Sequence, residues 1–122
     1  MTIEKCINDY QVDEVIFEEG STGRDLYVVL DGKVDIVKVN GAERTLIVKL
    51  GKGEFFGEMA VIDGSSRSAT AVAAAGGTRV MRINHARFVY LVSQQPAFAL
   101  MIMDALSKRL RASNAAQFRA AS

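Results

Sequence analysis

Phe55-Phe56-Gly57-Glu58-Met59-Ala60-Val61-Ile62-Asp63-Gly64-Ser65-Ser66-Arg67-Ser68-Ala69-Thr70 is the densest run of chemically distinctive residues in the chain. Gly57 permits a close backbone approach and opens a predicted helical turn, Glu58 to Val61, whose first amides have no partner within the turn and face an anion. Arg67 offers a planar fork that matches two oxygens of a phosphate, with the hydroxyl and amide of Ser68 beside it. Glu58 can then accept a bond from a sugar hydroxyl. The small side chains of Ala60, Ala69 and Ala71 leave room for a purine and its ribose. Backbone amides, one cation and one sugar-facing acceptor are what a cyclic phosphodiester requires.

Outward from this segment the chain is cut by turn residues: Glu19-Gly20-Ser21, Asp31-Gly32, Asn40-Gly41, Leu50-Gly51-Lys52-Gly53 and Gly76-Gly77. Strand formers lie between them. Leu26 to Leu30 reads as a strand buried on both faces, and Lys33 to Val39 sets Val34, Ile36, Val37 and Val39 against Lys33, Asp35 and Lys38. Thr45 to Leu50 returns after Asn40-Gly41 as a hairpin whose loop is expected to exceed two residues. Ala69 to Ala75 and Thr78 to Ile83 are two more strand candidates. Seven or eight short strands at this spacing predict a sandwich or barrel beginning near Val12 and ending near Ile83.

At Asn84, a good helix cap, the apolar spacing becomes helical. Phe88, Leu91 and Val92 mark a short helix that should stop near Gln95, because Pro96 suits only the first turn of the next one. That second helix carries Ala99, Met103, Leu106 and Leu110 on one stripe, with Ala112 to Ser122 small and polar enough to fray. The stripe fits packing or a dimer seam, and Lys108-Arg109-Leu110-Arg111 a solvated helix end favoured by the helix dipole.

Composition narrows the function classes. With 122 residues, 49 % of them apolar, the chain is read as one domain, 1–122, with its C-terminal helices at about 85–117. A net charge of +1 argues against coating nucleic acid, although residues 1–64 hold 13 acids and 7 bases and residues 65–122 hold 1 acid and 8 bases. One cysteine, Cys6, and one histidine, His85, cannot supply the three or four protein ligands of an ordinary zinc site or the histidine set of a cupin barrel. His85, at a predicted helix start and with no Gly-x-Ser-x-Gly elbow in the chain, reads as a solvated or capping residue and not as a catalytic base. The longest apolar run, Ala97 to Met103, falls far short of the roughly 18 residues that span a bilayer, and no membrane contact is expected. A soluble, cytoplasmic, non-enzymatic protein without a cofactor is the expectation.

The cassette Gly57-Glu58-Met59-Ala60 followed by Arg67-Ser68-Ala69-Thr70 resembles the phosphate-binding segment of the cyclic nucleotide-binding domain family, the type found in catabolite activators and protein kinase A regulatory subunits. The stretch Gly20 to Gly32, with its Gly-x-x-Gly-x-x-Leu-Tyr-Val-Val-Leu-Asp-Gly order, and Leu50 to Phe56 extend the likeness over roughly Val12 to Asn114. The resemblance implies a mainly β jelly-roll barrel with flanking N- and C-terminal α-helices that binds cAMP or cGMP unaltered. It implies that Glu58 holds the ribose hydroxyl, that Arg67 pairs the phosphate, and that Gly57, Ser68 and Ala69 add contacts. It places the wall beside the base on Leu46, Val48 and Met59, and polar contacts to the base on Ser113 and Asn114 of a last helix that closes as a lid. Ser68, where cGMP kinases tend to carry threonine, favours cAMP. No output segment is evident, so a protein partner or self-association through the C-terminal helix is expected to receive the signal. Two other readings stand beside this one: Glu58 and Arg67 as a mere surface ion pair, and a degenerate barrel serving as an interaction module or a regulator-like dimer.

Overall fold

The computed structural model describes the backbone of residues 6–121 and the side chains of residues 6–111. Eight strands and three helices follow one another: β1 (Ile7–Tyr10), β2 (Val15–Phe17), β3 (Asp25–Asp31), β4 (Val34–Asn40), β5 (Glu43–Leu50), β6 (Phe55–Phe56), α1 (Glu58–Asp63), β7 (Thr70–Ala73), β8 (Thr78–Asn84), α2 (His85–Gln94) and α3 (Pro96–Ala121). They group into two compact units, residues 1–88 and 89–122, with α2 beginning in the first.

In the first unit two antiparallel four-stranded sheets, ordered β1-β8-β3-β6 and β2-β7-β4-β5, share no strand. The expected jelly roll is therefore an open two-layer sandwich and not a barrel closed by hydrogen bonds. Inward side chains of both layers make the core: Tyr27, Val29, Val80 and Phe56 from one sheet meet Val34, Leu50 and Ala71 from the other. Small residues in β7 let the layers approach at this end, since all four of its residues are buried.

The structure corrects several expectations. The sandwich starts at Ile7, not Val12, because β1 pairs with β8; the polar Asn8 and Asp9 hid this strand, and Asp9 is explained by its ion pair with Arg79 at 2.9 Å. The described chain thus opens on a strand, and an N-terminal helix could fall only on residues 1–5, which lie outside the described residues. Asn40 pairs with Glu43, so the hairpin loop is the two residues Gly41-Ala42, with Gly41 supplying a φ of +65°. A register shift between Ile36 and Val37, paired with Val48 and Leu46, leaves Ile47 as the extra residue of a bulge.

The start of α2 and the break between the two helices fall where the sequence puts them. Asn84 caps α2 through its side-chain oxygen, which accepts the Arg87 amide at 2.8 Å, and the helix stops before Pro96. In the second unit α3 continues to Ala121 instead of fraying after Arg111, consistent with the strong helix propensity of its alanines. No single helix among the described residues is long and apolar enough to cross a membrane.

Candidate functional site

Two loops and a helix start converge on Arg67. The segment before β3 runs beside the segment before β7: the Gly20 amide donates to the Arg67 carbonyl at 2.7 Å, the Arg67 amide to Ser21 at 2.9 Å, and the Glu19 amide to the Thr70 hydroxyl at 3.0 Å. This ladder turns the Arg67 side chain inward, where it is only 6 % exposed. Its Nη1 donates to the Gly57 carbonyl and its Nη2 to the Asp25 carbonyl, both at 3.0 Å. The guanidinium carbon lies 4.4 Å from the centre of the Phe17 ring and 5.6 Å from that of Tyr27. Phe17, Tyr27 and Phe56 form one aromatic cluster, with Tyr27 and Phe56 stacked at 5.2 Å.

Among the described residues no carboxylate is seen in an ion pair with Arg67, whereas ion pairs join Lys38 to Glu19, Lys49 to Asp35, Arg79 to Asp9 and Lys108 to Asp104. A cation is thus buried against neutral carbonyls and ring faces. That arrangement is costly unless a countercharge is supplied from elsewhere. It also removes the surface ion pair as an account of Arg67.

Gly57 is required where it stands. It adopts φ +80°, and a Cβ there would lie 2.7 Å from Arg67 Nη1 and 3.2 Å from the Asp25 carbonyl. Gly57 also precedes α1 with no side-chain cap, and α1, predicted to end at Val61, runs to Asp63 before Gly64 closes it in the left-handed region. Glu58 is half-buried as the first residue of α1, Ala60 is buried and Met59 is exposed. Ala69 is buried; Ser68 is exposed, and its carbonyl accepts a bond from Lys38 Nζ. Leu46 and Val48 are both exposed on β5. They lie in lateral register with the end of the cassette: Leu46 opposes Val37, which opposes Thr70, and Val48 opposes Ile36, which opposes Ala71. At about 5 Å per strand this sets them roughly 10 Å from β7. Ser113 and Asn114 sit in α3, and their side chains lie outside the described residues.

Two shifted titrations belong to this region. Burial, followed by the nearby Asp25 carboxylate, pushes the Tyr27 phenol above its ordinary value. The Asp63 carboxyl is held below its ordinary value by the Ser65 hydroxyl and amide, which donate to the same oxygen. No group of three or more metal-ligating side chains occurs among the described residues.

Sequence reasoning missed the Arg67 cradle: Phe17, Gly23, the Asp25 carbonyl and Tyr27. The Gly-x-x-Gly order carried a usable signal, since a Cβ on Gly23 would stand 3.3 Å from Arg67 Nη2.

Residues 7–95 match the family model of the cyclic nucleotide-binding domain. The chain belongs to that family. It is 38 % identical over 104 residues to the cyclic AMP receptor protein of Thermus thermophilus, a match covering 84 % of this chain and 47 % of the receptor. The solved catabolite activator protein of Thermus thermophilus superposes with a TM-score of 0.80 at 32 % identity, over 88 % of this chain and 51 % of that one. The EAL enzyme Bd1971 in its cAMP-bound form superposes with a TM-score of 0.65 at 34 % identity, over 88 % of this chain and 29 % of the enzyme. This cyclic nucleotide-binding domain therefore spans about half the length of the first two relatives, and less of the third.

Proposed function

We propose that the domain is a non-catalytic cytoplasmic sensor that captures cAMP, in preference to cGMP, with Arg67 as the phosphate's countercharge. One observation carries the reading: a guanidinium 6 % exposed, held by the carbonyls of Gly57 and Asp25, without a paired carboxylate among the described residues. An anion docking at the start of α1 supplies the charge that this cation lacks. Glu58, the first residue of that helix, is assigned to the ribose hydroxyl, and Gly57, Ser68 and Ala69 to further contacts with the phosphate and sugar. Leu46, Val48 and Met59 are exposed apolar side chains that suit one wall for a purine.

The helical unit is assigned the closing role. Leu100, Met101, Met103 and Leu110 of α3 are all exposed, so this helix has apolar surface to offer a base or a partner chain. We assign base contacts to Ser113 and Asn114, and transmission of the signal to a protein partner or a second copy. Removing the residues after Arg111 is then expected to speed nucleotide release while leaving capture intact, as read by stopped-flow.

The deciding experiment is thermal unfolding with cAMP, cGMP and a cyclic dinucleotide. A ligand bound only by the native state raises the melting temperature by mass action, by about 2.7 kcal/mol of added stability at a hundred times its Kd. A rise with cAMP exceeding that with cGMP, and none with the dinucleotide, is expected. No rise with any of them rejects the sensor in favour of a degenerate domain that serves only protein contacts.

A further inference from the structure

The far end of α1 is anchored in a way that the cassette itself does not explain. Gly64 donates its amide to the Ala60 carbonyl at 3.0 Å and closes the last turn. The next amide, that of Ser65, turns to the Asp63 carboxylate at 2.9 Å instead of continuing the ladder to Val61. Val61 is fully buried, at 0 % exposed, so its carbonyl cannot turn to water. It is met from outside the helix by His85 Nδ1 at 2.9 Å, with Arg24 Nη2 at 3.5 Å as a longer second donor. No basic residue stands in the last turn of α1, so these two groups supply the donors that complement a helix C-terminus.

We propose that His85 is a positioning residue for the nucleotide site, acting through the Val61 carbonyl, with Arg24 in support. A carbonyl oxygen only accepts, so Nδ1 must carry the proton and donate it. The six-residue α1 is then held at both ends by donors from other elements: Arg67 on the Gly57 carbonyl before its first residue, and His85 on Val61 in its last turn. Because a short helix moves as a rod, losing the His85 bond lets α1 tilt about its Gly57 end. The tilt displaces Glu58 and the amides beside it from a bound phosphate and ribose. The readout in affinity rests on the cyclic nucleotide reading above; the anchoring itself does not.

Three variants and one spectrum test this. In His85→Asn the side-chain amide nitrogen stands as many bonds from the backbone as Nδ1 and can donate to Val61. His85→Gln places it one carbon further out, and His85→Leu removes it. The wild type is expected to show Nδ1, not Nε2, protonated in a long-range imidazole nitrogen spectrum in alkaline buffer. By calorimetry, His85→Leu and His85→Gln should weaken cAMP binding about tenfold, the equivalent of about 1.4 kcal/mol and of one buried hydrogen bond. His85→Asn should stay within about threefold of wild type, a rescue that a bulk packing role would not produce. An Nε2-protonated ring, unchanged affinity in His85→Leu, or an Asn variant as weak as the Leu variant each overturns the proposal. If the wild type binds no cyclic nucleotide, the sensor reading fails separately. Amide exchange at Ile62 to Gly64 then decides: faster exchange in His85→Leu restored in His85→Asn supports the anchor, and equal exchange in all forms overturns it. Should His85→Leu not fold, the Gln and Asn pair and the wild-type spectrum carry the same decision.

Discussion

Replacing Arg67 by Met separates what this side chain does for the fold from what it does for a ligand. Met is similar in length and fills much of the same space without N–H groups. In the unliganded protein the change removes two charge-assisted bonds, to the carbonyls of Gly57 and Asp25, each worth about 1.5–3 kcal/mol. It also removes the stacking of the cation on Phe17 and Tyr27, about 0.5–2 kcal/mol. Against these losses stands relief from burying a guanidinium that has no paired carboxylate among the described residues, a penalty of several kcal/mol. The opposed terms are of similar size, so the expected change in unliganded stability is within about 2 kcal/mol of zero. Binding has no such compensation. A desolvated phosphate that loses its one cationic fork should bind more weakly by about 3–5 kcal/mol, or two to three and a half orders of magnitude in Kd. Urea unfolding of the free protein gives the first quantity and calorimetry with cAMP and cGMP the second. An affinity within about threefold of wild type would refute the reasoning. So would a loss of stability larger than the loss of affinity, because Arg67 would then be a structural residue. Arg67→Lys is the sharper control: it keeps the charge but cannot fork to both carbonyls, so it should resemble Met more than Arg.

Gly57→Ala forces an L side chain to φ +80° at about 1–2 kcal/mol and sets its Cβ 2.7 Å from Arg67 Nη1. The variant should melt several degrees lower and bind cAMP more than tenfold more weakly; wild-type values for both would show that the guanidinium is not fixed here. Tyr27 gives a pH dependence. Its phenol is shifted upward in the fold, so its contribution is complete below the ordinary tyrosine value and lost as pH rises through the shifted one. Melting temperature should therefore fall in strongly alkaline buffer, and less so in Tyr27→Phe; parallel curves would contradict this. Thr78→Val tests the fold apart from the site. Its fully buried hydroxyl donates to the Ala75 carbonyl at 2.7 Å and accepts the Lys33 amide at 3.3 Å, so about 1–3 kcal/mol of stability should go while cAMP affinity holds. A loss below about 0.5 kcal/mol would mean that these groups find other partners.

What could be read in the sequence divides along the range of the interactions involved. Asn84 as a cap and Pro96 as a helix start are decided within a few residues, and both hold. The β4–β5 hairpin was legible from Asn40-Gly41, although its loop is tighter than expected, because strand pairing resumes at Glu43, which nothing in the local composition marks. β1 escaped because Asn8 and Asp9 look like loop residues until Arg79 is seen beside Asp9. β6 escaped because two phenylalanines are too few to show a period. At the site, the side chains with chemistry of their own, Glu58 and Arg67, were evident. The groups that hold Arg67 were not, because they are carbonyls of Gly57 and Asp25, and any residue type carries a carbonyl. For the same reason His85 could be read as capping but not as a donor to Val61, since that acceptor belongs to another helix.

The placement of charge shows how a domain with a net charge of +1 could serve the proposed role of anion receptor. The split between an acidic first half and a basic second half is largely a property of the surface. Arg79 meets Asp9, Lys38 meets Glu19 and Lys49 meets Asp35, all in solvent where each pair contributes about 0–1 kcal/mol and is screened by salt. Arg67 differs in kind, because among the described residues it is the only Lys, Arg, Asp or Glu whose side chain is buried. On the proposed function, a charge in that setting would interact with a phosphate through a medium far less polarisable than water, so one residue would outweigh the dispersed charges of the surface. The sandwich brings Phe17 of one sheet and Tyr27 of the other to the same guanidinium, where their ring faces favour a cation. The fold holds the cation in place without a ligand, so on the proposed function an anion would complete a site whose ordering has already been met by folding.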